Sequence, residues 1–118
     1  MQTEFDTFRI KLGKEDRAKE WMQSLCGRKA ECIETLEREK MVLETIFMTE
    51  KEGRLYLSWF SIQGDAHESV ETSGYEIDKL HCALWDECID TTFKLDTFQH
   101  VVTFAPAQIQ HVIDTFKS

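Results

Sequence analysis

The chain has 118 residues and a mass of 13.9 kDa; 42% of its residues are hydrophobic and 31% charged, with one proline and five glycines. These proportions are those of an ordinary globular domain and exclude collagen-like, low-complexity and disordered chains. Fourteen Lys and Arg against 22 Asp and Glu leave a net charge of −8, which repels phosphate backbones and anionic lipid and argues against nucleic-acid and membrane partners.

The first predicted element is a strand over residues 5–12, where Phe8, Ile10 and Leu12 alternate with Thr7, Arg9 and Lys11. Gly13 and Lys14 break it, and Glu15 and Asp16 place negative charge where a helix start favours it. Helical spacing then runs over residues 15–37 through Ala18, Trp21, Met22, Leu25, Cys32, Ile33 and Leu36. Gly27 interrupts this run at a cost of about 1 kcal/mol relative to Ala, which predicts a kink or break. Two strands follow, over 41–50 and 54–63, joined by the turn signal Lys51-Glu52-Gly53. Both carry apolar residues on both faces, so both faces of the sheet are expected to be covered. The helices of one small domain cover one face; a second subunit is the simplest cover for the other.

A polar loop is expected over 64–74, then a second helical stripe over 75–89 with Ile77, Leu80, Leu84, Cys88 and Ile89. Residues 97–105 read as a fourth strand, and Pro106 opens a last helix striped with Ile109, Val112, Ile113 and Phe116. The order is α+β: a ferredoxin-like βαββαβ arrangement with an extra C-terminal helix, in one domain over residues 1–118.

The opening FRIKLGKEDRAKEW resembles the start of many dimeric α+β barrel proteins, in which two ferredoxin-like sheets pair face to face. That superfamily includes cofactor-independent monooxygenases and haem-degrading enzymes. EKMVLETIF, LSWFSIQG and IDKLHCALWDECID, within residues 8–90, resemble the signature of a bacterial family of uncharacterised proteins with this fold. The resemblance implies a homodimer and leaves the chemistry open, since one fold hosts many functions. The haem-degrading branch uses a helical His as axial ligand; the residues around His81 match no haem motif, so that role is not carried over and no cofactor is expected.

His81, Trp85 and Cys88 share a helix face. His81 reads either as an acid, base or ligand at the mouth of an apolar pocket, with Trp85 as a wall, or as a boundary histidine that packs. Glu44 lies mid-strand between Val42 and Ile46. It reads as a pocket carboxylate near His81 or Tyr75, or as an edge-strand charge paired with Arg9 or Arg54. Trp59 and Gln63 share a strand face and are candidates to line the same pocket. The length of the turn at Gly53 decides whether Glu44 joins them, because a one-residue slip reverses the faces.

The cysteines, Cys26, Cys32, Cys82 and Cys88, stand in two pairs six residues apart, a poor metal spacing, and read as reduced, mostly buried thiols. His67, His100 and His111 have no metal-ligand spacing, and no nucleophile elbow, phosphate loop or Rossmann fingerprint occurs. The N-terminal segment lacks the basic start and apolar block of a secretion signal, so the expected location is cytoplasmic. Two functions follow: a site for a small apolar or aromatic metabolite with acid/base or oxygenase chemistry, or a non-enzymatic interaction module.

Overall fold

The computed structural model describes residues 2–64, 76–95 and 97–116. The elements are β1 (Gln2–Arg9), α1 (Glu15–Gly27), α2 (Lys29–Arg38), β2 (Met41–Lys51), β3 (Arg54–Gln63), α3 (Glu76–Cys88) and α4 (Ala107–Thr115). The strands form an antiparallel sheet in the order β1-β3-β2. The chain is thus α+β. Apart from Gly64, the expected polar loop lies outside the described residues, as does Tyr75. Among the described residues no helix is long and apolar enough to cross a membrane.

The core lies on one face of the sheet. Leu55 and Leu57 on the central strand are 1% and 0% exposed and pack with Ile10, Ala18, Trp21, Leu84 and Cys88. Full burial of a leucine contributes about 1.5–3 kcal/mol, so this layer anchors the fold. The expected helical run does break beside Gly27: α1 ends there, and the Arg28 N–H donates to the carbonyls of Ser24 and Leu25 at 3.0 and 3.3 Å before α2 begins. After α2, Lys40 adopts φ 62°, reversing the chain into β2. The Gly64 N–H donates to the Lys40 carbonyl at 2.8 Å, and a Cβ on Gly64 would stand 2.6 Å from that oxygen. Only glycine allows this approach.

Lys51 faces Arg54, so the hairpin turn has two residues, Glu52 (φ 53°) and Gly53 (φ 75°). Both positive angles fit a type I′ turn, whose twist matches that of the strands. The turn sets Ile46 opposite Trp59 and Glu44 opposite Ser61. Glu44, Trp59 and Gln63 therefore share the helix-covered face.

Three expectations need correction. The first strand ends at Arg9, not residue 12; Ile10 makes an isolated bridge to Ile89, and Leu12 enters the turn 69% exposed. The thiols are not mostly buried: Cys88 is, but Cys26 is exposed and Cys32 and Cys82 are half-buried. Finally, residues 97–105 form no strand, so the sheet lacks the fourth strand of the expected βαββαβ order.

The chain leaving α3 is held at the end of β1. The Asp90 N–H donates to the Arg9 carbonyl at 2.8 Å, and the Asp90 carboxylate takes hydrogen bonds from Arg9 at 2.9 Å and Arg54 at 3.4 Å. Thr92 adds donors from its N–H and hydroxyl, and these bonds hold the carboxyl well below the usual carboxylate range. Beyond this clamp Phe93 packs on Tyr56, and Phe98 on Phe5 with ring centroids 4.9 Å apart. Tyr56 and Phe5 project from the face opposite the core. The chain thus meets the free edge of β1, where the Lys11 N–H also donates to the Cys88 carbonyl at 2.8 Å, but among the described residues no strand pairing continues over residues 97–105.

The turn makes a direct prediction. Gly53→Val places a β-branched residue at φ 75° and should lower the unfolding free energy by about 1–2 kcal/mol in urea titrations. Glu52→Asn should move it in the opposite direction.

Candidate functional site

A cavity of about 580 Å³ lies among α1, α2, α3 and the edge strand β2. Leu25, Leu36, Ile46 and Ile77 provide aliphatic walls, and Ile33, 45% exposed, stands beside them. The stripe of α2, expected to pack as core, thus faces this space. Cys26, Lys29 and Cys32 also border it, with Glu39, Glu44, Asp78 and His81 as its carboxyl and imidazole groups.

His81 is fixed from α1. The indole Nε1–H of fully buried Trp21 donates to His81 Nδ1 at 3.1 Å. Indole can only donate, so Nδ1 must accept, and the neutral ring carries its proton on Nε2. Burial pushes the His81 pKa down, against an opposing pull from Asp78. Protonation would also set a second N–H against Trp21. The ring packs among Trp21, Trp59 and Trp85 at centroid distances of 5.3, 5.7 and 6.1 Å. His81 is therefore a neutral donor through Nε2–H rather than a resting general base.

Glu44 borders the same cavity, so the structure brings it and His81 together. Its side chain keeps accessible surface along the open edge of β2, but the concave walls remove much of the water around the carboxyl. Burial raises its pKa, a hydrogen bond offered by Trp59 lowers it, and Asp78 raises it further. The expected partners Arg9 and Arg54 are engaged with Asp90 instead.

The remaining candidates are placed differently. Trp59 and Trp85 pack on His81 and on each other at 5.4 Å without lining the cavity. Gln63 is buried, with its amide 3.4 Å from the Ser61 hydroxyl, and does not border the cavity either. Tyr75 lies outside the described residues.

Sequence reasoning missed Trp21, Glu39 and Asp78. Trp21 read as core; the available signal was that a buried indole N–H needs an acceptor. Glu39 lies in the alternating-charge run Glu37-Arg38-Glu39-Lys40. At the end of α2 it is half-buried, and its pKa is pushed up to about 7 by burial, then by Asp78 and Glu44, with Arg38 opposing. Asp78 stands in the first turn of α3, where the helix dipole favours a carboxylate, and its side chain is 6% exposed. Burial, then Glu44 and Asp78, raises the Cys32 thiol, keeping it protonated and poorly nucleophilic. No group of three or more His, Cys, Asp or Glu among the described residues is placed to hold a metal ion.

Residues 1–111 match the family of unknown function DUF6176, and the chain belongs to that family. No curated protein and no solved structure matches it.

Two measurements follow from these environments. Glu39 keeps its proton to about pH 7 in the folded chain, against an ordinary value of 4.5. Between these values the folded state binds more protons than the unfolded state, so this group makes stability fall as pH rises and has a flat effect outside the window. Denaturation from about pH 4 to pH 8.5 should show Glu39→Gln gaining on the parent chain across that window, then holding its lead; a constant difference would contradict the assignment. Trp21→Phe removes the donor at Nδ1 and should raise the His81 pKa in an NMR titration, whereas an unmoved value would remove Trp21 from the site.

Proposed function

We propose that the chain binds a small apolar or aromatic metabolite in this cavity. The observation supporting this most directly is that His81 and Glu44, from two different elements, border one cavity with aliphatic walls. A space of this size suits a metabolite-sized molecule, and a few polar groups on apolar walls are the usual composition of such sites. His81 presents Nε2–H to an acceptor on the ligand, because Nδ1 is held by Trp21. Glu44 receives the ligand's donor, and Trp59 and Trp85 hold the imidazole ring. Tyr75, just before α3, is a further candidate wall. If the site turns its ligand over, its groups supply proton transfer, with Glu44 as base and His81 as neutral donor; cofactor-independent oxygenation is the elaboration that the superfamily resemblance suggests.

A second reading, assembly with another copy of the chain, rests on the sheet face turned away from the core. Phe5, Leu43 and Phe47 on that face are 38%, 38% and 59% exposed, and Val101 and Phe104 in the segment crossing it are 87% and 89% exposed. Several exposed apolar residues on one face suit an interface. The proposed assembly is a cytoplasmic homodimer of single ferredoxin-like domains in the dimeric α+β barrel arrangement, with residues 97–105 pairing as the fourth strand once the partner covers the face.

Indole added at about 1 mM should shift amide resonances of Leu36, Ile46 and His81. Ile33→Trp, which fills the cavity beside α2, should abolish the shifts while the fold is retained; a response confined to other regions would sink the pocket reading. For the assembly, native mass spectrometry should give a dimer. Phe47→Asp should weaken it at least 100-fold, as expected for a central aromatic anchor; a parent chain that is monomeric at about 10 μM would refute it.

A further inference from the structure

The pocket reading leaves the charge of the ligand open, and the placement of the carboxyl groups speaks to it. Three separate elements each bring one carboxyl to the cavity: Glu39 at the end of α2, Glu44 on β2 and Asp78 on α3. Like charges brought together in a concave apolar space are costly unless a cation joins them. Asp78 is the clearest case. Its side chain is 94% buried (6% exposed), its Oδ2 accepts no hydrogen bond among the described residues, and its ion pair with Arg38 Nη2 is long, at 4.0 Å. A buried carboxylate oxygen without a donor calls for one.

We propose, resting on the pocket reading, that the cavity selects an organic cation: a ligand whose apolar body lies among Leu36, Ile46 and Ile77 and whose protonated amine sits among Glu39, Glu44 and Asp78. An ammonium group supplies a charge to this carboxyl cluster and an N–H donor to Asp78 Oδ2. The aliphatic walls accommodate the remainder of an organic molecule and give a bare inorganic ion nothing to bind. An anionic ligand would add negative charge beside carboxyls that already raise one another's pKa. The other ionisable groups at the cavity are Cys26 on α1, Lys29 and Cys32 on α2, and His81 on α3, with Arg38 of α2 beside Asp78. His81 is neutral, and Arg38 already faces Asp78, so Lys29 on the exposed side of α2 is the remaining positive group. The Glu39 pKa is raised by burial first and then by Asp78 and Glu44, so the carboxyls also act on one another.

The test uses three indoles of one shape and different charge: tryptamine (cationic), tryptophol (neutral) and indole-3-acetate (anionic). Affinities are read at neutral pH by calorimetry, with binding located by amide shifts. Tryptamine should bind at least tenfold more tightly than tryptophol, and indole-3-acetate should bind weakest. Asp78→Asn and Glu39→Gln should each reduce the tryptamine preference at least threefold; Glu39→Gln, at a half-buried position, serves if the Asp78 variant does not fold. A preference below tenfold, a preference for tryptophol or indole-3-acetate, or a tryptamine preference untouched by Glu39→Gln overturns the cation inference and leaves the pocket standing. Failure of all three indoles to shift cavity resonances overturns the pocket reading as well.

Discussion

A buried indole N–H needs an acceptor, and the arrangement of α1, α3 and the sheet follows from how this one is met. Trp21 has no solvent exposure, and His81 Nδ1 is its acceptor across the helix pair. Losing the acceptor would leave a buried donor unsatisfied, at a cost of about 1–3 kcal/mol. The same bond fixes the imidazole tautomer, and Trp59 and Trp85 close around the ring. A packing requirement of the core thus sets the chemistry of a cavity-facing group: His81 is held neutral, with one defined proton on Nε2.

The opposite wall depends on the hairpin. Two residues at positive φ make the turn, and the resulting register puts Glu44 opposite Ser61 on the core side of the sheet. A turn longer by one residue would send Glu44 to the other face and leave the cavity without its strand carboxyl. Edge position matters too. β2 has no strand beyond it in the sheet, so its open side lies beside α2 and a space remains between them. The break at Arg28 turns α2 away from α1, so the apolar stripe of α2 borders the cavity instead of closing it.

The far face of the sheet answers to another constraint. Arg9 and Arg54 converge on Asp90, and the donors of Thr92, then Arg9, hold its carboxyl well below the usual carboxylate range. This clamp ends α3 against β1, and in the following segment Phe93 packs on Tyr56 and Phe98 on Phe5. The segment leaves its own apolar residues, Val101 and Phe104 above all, facing outward. The molecule consequently has a well-filled core on one side of the sheet and exposed hydrophobic surface on the other.

The sequence by itself determined the local elements that have a strong period or punctuation. The two-sided apolar run in 54–63, the Gly53 turn signal, the interruption at Gly27 and the stripe through Leu80 and Leu84 depend on neighbours within a few residues, and the structure has a strand, a turn, a helix break and a helix there. Residues 97–105 show the limit. Their composition favours a strand, but a strand exists only with a ladder partner, and these residues pair with none among the described residues. Glu39 and Asp78 show the same limit at the cavity: spacing within a helix marks them as ordinary polar residues, and only packing decides that water is removed from them and that Glu44 lies nearby. Trp21 required knowing which of several histidines its N–H would meet. The residues and their local conformations were written along the chain. The meeting of Trp21 with His81, and of three carboxyls with one cavity, was decided by tertiary structure, because burial and distance are properties of elements that the chain brings together from far apart.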